Sequence, residues 1–67
     1  MQPSDAELRE TIARMEERLR THSLFSTYER LAERFAAELP DERDVLLSRG
    51  AALMLLQELA AGERDLP

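Results

Sequence analysis

The stretch Val45-Leu46-Leu47-Ser48-Arg49-Gly50-Ala51-Ala52-Leu53-Met54-Leu55-Leu56-Gln57-Glu58-Leu59-Ala60-Ala61 reads as a helix that is apolar round more of its circumference than one small core needs. At about 100° per residue, Val45, Leu46, Ala52, Leu53, Leu56, Leu59 and Ala60 fill one broad arc, expected to face the other helices of the chain. Leu47 and Met54 fall nearly opposite that arc, and Leu55 sits to one side. Ser48, Arg49, Gln57 and Glu58 are scattered and make no continuous polar back. The surplus apolar surface requires a cover, and a chain of 67 residues has little left to supply one. A second copy or a partner protein is the expected cover, which makes Leu47, Met54 and Leu55 candidate interface residues.

Outward from this segment, Leu39-Pro40-Asp41 is a break, because proline lacks an amide hydrogen and disfavours helical geometry in the residue before it. Asp41 is the expected N-cap of a helix over about 42–61, with Asp44 favoured by the helix dipole. Gly62 reads as its stop and 63–67 as a frayed tail. Thr21-His22-Ser23 is a second break. Between the breaks, Leu24, Tyr28, Leu31, Phe35 and Leu39 repeat at 4-3-4 spacing, predicting a helix over about 24–39. Ser26 with Glu29 forms one possible capping box there, with Ser23 as the competing cap. Before the first break, Leu8, Ile12, Met15 and Leu19 predict a helix over about 5–20, capped by Ser4 with Glu7. Glu10–Arg14, Glu16–Arg20 and Arg34–Glu38 have the spacing of supportive i,i+4 pairs.

The expected fold is therefore all-α and single-domain. The short connection makes the second and third helices an antiparallel hairpin. The first helix packs on them or exchanges with a second copy. Gly50, mid-helix beside Ala51 and Ala52, costs roughly 1 kcal/mol relative to alanine. One reading is a close helix crossing; the sharper one is a notch for a partner's side chain. Phe25, one step off the apolar stripe of its helix, reads as core or loop staple, or as an exposed interface anchor.

Catalytic chemistry finds no foothold. His22 is the sole histidine and stands in a predicted loop, and no serine has a histidine and an orienting acid at recognisable spacing. There is no cysteine and no Gly-rich phosphate loop. Glu29 and Glu33 lie off the apolar stripe, as a solvated face and not a metal site. No catalytic, metal or cofactor residue is expected. Along the leucine-rich stretch 45–61 the last helix carries only Arg49 as a basic group, so it lacks the groups with which a recognition helix reads DNA.

The charge balance is acidic, 14 carboxylates against 9 basic residues, all of the latter arginine. A net charge of −5 disfavours nucleic-acid phosphate as a partner. An acidic inhibitor that occupies a nucleic-acid-binding protein as a decoy is the rival expectation. Arginines interrupt every acidic run, which weighs against it. No signal-type segment and no run of roughly 18 apolar residues is present, so the expectation is a cytoplasmic protein without a membrane segment.

From His22 onward, a loop leads to Leu24-Phe25-Ser26, then to a helix and a Pro/Asp break. Leu46-Leu47-Ser48-Arg49-Gly50 and a leucine-rich run to Leu66-Pro67 follow. This pattern resembles small helical-hairpin proteins encoded by tailed bacteriophages, whose second helix carries a basic-Gly pair before its leucines. The tryptophan usual after the first loop of those proteins is absent. The resemblance spans 22–67 and implies an accessory or assembly role, in a bacterial cell or phage-infected host, with no catalytic residue. Small co-chaperones of type III secretion needles share the size and hairpin outline, without a common motif. The function expected is a non-catalytic adaptor or assembly factor, acting as a homo-oligomer or bound to a larger protein.

Overall fold

The computed structural model of the chain describes residues 2–65. Within them lie helices α1 (Asp5–Leu19), α2 (Phe25–Glu38) and α3 (Glu42–Asp65), with no strand among the described residues. Ser4 caps α1, its Oγ accepting the Glu7 N–H at 3.2 Å. Asp41 caps α3, its Oδ1 accepting the Arg43 N–H at 2.9 Å. α2 departs from expectation: its N-cap is Leu24, with no side-chain cap, and Ser26 donates its hydroxyl to the Ser23 carbonyl instead. The ring of His22 does the local work, its Nδ1 accepting the Leu24 N–H at 3.0 Å. Gly62 does not stop α3, which continues to Asp65. Without a Schellman or left-handed turn, a glycine only weakens a helix. Residues 66 and 67 of the expected frayed tail lie outside the described residues.

α3 is the hub. It packs against both α1 and α2, which make little contact with each other. The N-terminal ends of α1 and α3 lie side by side, because Arg43 pairs with Asp5 at 2.8 Å and Arg9 pairs with Glu42. Further along, Gln57 donates its side-chain amide to the Met15 carbonyl at 3.0 Å. The result is a slab of 41 × 27 × 16 Å. Its core is Ile12, Leu19, Tyr28, Leu46, Leu53, Leu56 and Ala60, with Leu8, Met15, Leu24, Phe25, Ala32 and Ala52 packed round it.

The stripe of α1 is thus used as its spacing predicts. That of α2 is used less: Tyr28 is buried, while Leu24, Leu31, Phe35 and Leu39 are half-buried. The broad arc of α3 needs a sharper correction, since Leu59 is 52% exposed. Reach along the axis does not explain this, because the next residue, Ala60, is buried; Leu59 stands at the edge of the arc, one turn on from the exposed Leu55. The surface pairs also differ from expectation: Arg20 approaches Glu17 at 3.6 Å, and Glu16 is taken by another helix. Arg34–Glu38 forms as expected, at 3.5 Å.

Gly50 is not at a close crossing. A methyl group built there would meet nothing within 4 Å, and the backbone is not in the left-handed region. Gly50→Ala should therefore raise the unfolding free energy by about 0.5–1 kcal/mol, through helix propensity alone. Leu53→Ala, which empties a fully buried position, should lower it by about 2–5 kcal/mol. Denaturant melts of the two variants check both signs; a destabilising Gly50→Ala would return that residue to a packed interface.

Candidate functional site

Two features stand apart from ordinary packing: a polar junction inside the slab, and an apolar back on α3. The junction takes one side chain from each helix. Glu16 of α1 accepts the Tyr28 hydroxyl of α2 at 2.5 Å, and its same Oε2 receives Arg49 Nη2 of α3 at 2.7 Å. Arg49 Nε donates to the Tyr28 oxygen at 3.1 Å, closing the triangle. Glu16 and Arg49 are largely sheltered, with side-chain exposures of 22% and 29%.

Burial by itself would raise the Glu16 carboxyl. The hydrogen bonds from Tyr28 and Arg49 and the Arg49 charge together outweigh it, leaving the carboxyl below its ordinary range. Burial, seconded by the hydrogen bond to Glu16, pushes the Tyr28 phenol up to about 12. Burial opposes the Arg49 charge, yet the bonds to Tyr28 and Glu16 hold the guanidinium above its usual value. The triangle is thus a closed set of three mutual hydrogen bonds that joins the three helices.

The apolar back of α3 is open. Leu47, Met54 and Leu55, the residues expected at an interface, are 47%, 61% and 59% exposed, and Leu59 extends the patch. A shallow groove runs on each side of this ridge. Between α1 and α3, a groove of about 280 Å³ is lined by Leu8, Ile12, Met15, Leu47, Gly50 and Met54. Between α2 and α3, one of about 390 Å³ is lined by Leu31, Phe35, Ser48, Ala52 and Leu55. Ala51 belongs to both. Small residues at 48, 50, 51 and 52 leave room on the groove floors for a side chain. Gly50 therefore borders an open groove and not a close helix contact.

Phe25 is placed differently. It packs against the core, its ring 5.7 Å from that of Tyr28 and tilted by 44°. A third hollow, lined by Arg18, Leu19, His22, Gln57, Ala60 and Ala61, lies at the far end of the α1–α3 seam. No group of three or more metal-ligating side chains occurs among the described residues.

The surplus of leucine lifts an 18-residue window within Glu42–Gly62 to a mean hydropathy of 1.3, enough by length and composition alone for a membrane-crossing helix. In this fold Leu46, Leu53, Leu56 and Ala60 are buried against the other helices. Comparison with known proteins finds no matching family model, curated protein or solved structure.

The triangle was not foreseen from the sequence. Its signal is nevertheless present: Arg49 occupies a core position in the row Leu46, Arg49, Leu53, Leu56, Ala60. A guanidinium there requires a carboxylate from another helix. Tyr28 is the chain's one tyrosine, so phenolate absorbance reads it alone. In the folded protein it should half-ionise near pH 12, against 10.0 for a free phenol. Since the folded value is raised, the stability it contributes is complete below pH 10 and lost as the pH rises towards about 12. Glu16 has the opposite sign: its contribution is present above the ordinary carboxylate pKa of 4.5 and lost as acid titrates the folded form. Tyr28→Phe should remove the alkaline slope of the stability curve, and Glu16→Gln should flatten the acid limb. An ordinary tyrosine titration in the folded chain would show that the triangle does not form.

Proposed function

We propose that this chain is a non-catalytic protein-binding module, an adaptor or assembly factor, that works by burying the apolar back of α3 against another protein surface. The observation that carries this reading is the exposure of Leu47, Met54, Leu55 and Leu59 on one helix, flanked by two apolar grooves. An amphipathic segment laid along such a ridge is a recurrent mode of helix recognition. Monomeric proteins seldom leave a contiguous apolar patch of this kind without a use for it.

In the same proposal α2 and α3, joined across Leu39-Pro40-Asp41, form an antiparallel hairpin. α1 covers α3 of its own chain, as its ion pairs with Glu42, Arg43 and Arg49 support. The resemblance to phage-encoded hairpin proteins fits an accessory role in a bacterial cytoplasm or an infected host. Self-association of the module is compatible with it; contact with nucleic acid or a membrane is no part of it.

Leu47→Glu with Met54→Glu tests the reading. Both positions are exposed, so circular dichroism and melting temperature should stay close to those of the parent, with a stability change within about 0.5 kcal/mol each. Binding of a hydrophobic dye should be lost, because a carboxylate is tolerated in water but not in a dry contact. Any oligomer seen by sedimentation at micromolar concentration should dissociate. A variant that is folded but retains dye binding and oligomeric state would sink the proposal.

A further inference from the structure

The back of α3 has a second periodicity. Asp44, Leu47, Ala51, Met54, Glu58 and Ala61 follow one another at 3-4-3-4-3 spacing, the repeat of a coiled-coil seam. All six are exposed, whereas the row Leu46, Arg49, Leu53, Leu56 and Ala60 is sheltered against α1 and α2. α3 thus carries one occupied seam and one open seam. The open seam has a small residue, Ala51, at its centre and leucine and methionine on either side. A carboxylate stands seven residues before and seven after that centre.

Those carboxylates select the occupant. If two copies paired along this seam in parallel, Asp44 would meet Asp44 and Glu58 would meet Glu58. If they paired antiparallel, the layers would set Leu47 against Glu58 of the second copy, leaving a carboxylate on a leucine. No arginine of the chain lies on the seam to relieve either arrangement. Arg34, on α2, is engaged with Glu38. Like charges or an unmatched charge at a seam position are the usual devices that exclude a wrong partner. Basic residues opposite Asp44 and Glu58 would turn the same positions into attraction. Because both belong to the same heptad position, the matching partner residues are fourteen apart in either helix direction. A bulky apolar side chain midway between them would seat over Ala51, beside the notch at Gly50, where nothing fills the space.

We propose that the occupant of this seam is an amphipathic helix of a different protein, with arginine or lysine at two seam positions fourteen residues apart and a large apolar residue between them. This rests on the docking role of the α3 back proposed above and adds the chemistry of the partner.

Two synthetic helical peptides test it, identical but for the two flanking seam positions, which are arginine in one and glutamate in the other. Each has leucine midway. Measured by calorimetry with the intact chain near physiological salt, the arginine peptide should bind about tenfold or more tightly than the glutamate peptide. Asp44→Arg with Glu58→Arg, both exposed, should reverse that preference while leaving the fold unchanged by circular dichroism. Gly50→Ala should weaken the arginine peptide even though it stabilises the chain. Equal affinity for the two peptides, or no binding of either, overturns the proposal. The docking role itself survives equal affinity. It also survives if neither peptide binds but the chain sediments as an oligomer that Leu47→Glu with Met54→Glu dissociates, which makes a second copy the occupant. It falls with the proposal if the chain is monomeric and neither peptides nor dye respond to that double substitution.

Discussion

Arg49 carries a permanent charge into the inner face of the central helix, and the slab is arranged to match it. A guanidinium sheltered from water is tolerated only when its donors and its charge are both satisfied. Glu16 supplies the opposing charge from α1, and Tyr28 supplies an acceptor from α2 while giving its own proton to Glu16. Since α1 and α2 barely touch, this triangle is where all three helices are tied at one point. Leucine packing is tolerant of small shifts and rotations. A three-way hydrogen-bonded contact is not, so the triangle fixes how α1 and α2 sit on α3. With that arrangement fixed, the core row turns inward and the second row turns to water.

The surface chemistry follows from the same hub arrangement. A closed three-helix bundle would let each helix cover part of the other two. Here α3 touches both neighbours and they leave its back uncovered. The exposed leucines are therefore a consequence of architecture and not scattered accidents of composition. The grooves beside them exist because positions 48, 50, 51 and 52 are small and leave the floors unfilled. Gly50 lowers the helix's own stability without relieving any contact. In the docking role proposed above, the space over it is what a partner's side chain enters.

Much of this was legible in the sequence, and for identifiable reasons. Period-3.6 stripes, Ser4, Pro40 and Asp41 act locally, so the three helices and two of their caps follow from the residues alone. Leu47, Met54 and Leu55 were legible as surplus because their angular position on α3 does not depend on what packs against it. What failed was long-range. Leu59 lies at the edge of the expected inward arc, and a helical wheel does not tell how wide a strip of that arc the neighbouring helices cover. Glu16 has an arginine one turn away, and local pairing rules assign it there; tertiary packing offers a better-sheltered one. Gly50 between alanines signals a small surface in either of two uses, and the difference is whether another helix happens to lie above it. His22 as a helix-entry acceptor escaped because the usual capping rules consider only side-chain oxygens.

The side-by-side start of α1 and α3 has a consequence for how the chain reaches this structure. α2 and α3 are neighbours in sequence, so their contacts begin by closing a loop of a few residues. The contacts of α1 with α3 join positions 33 to 42 residues apart. The entropy of closing a loop grows with its length, and long-range contacts form only after that entropy has been overcome. The connectivity therefore makes the α2–α3 contacts the less costly to close and the α1–α3 contacts the more costly. Without α1, Arg49 would keep Tyr28 beside it but lack its carboxylate, and Leu46 would lose part of its cover. One helix thus both matches the charge and covers apolar surface, which makes it the latch of the fold.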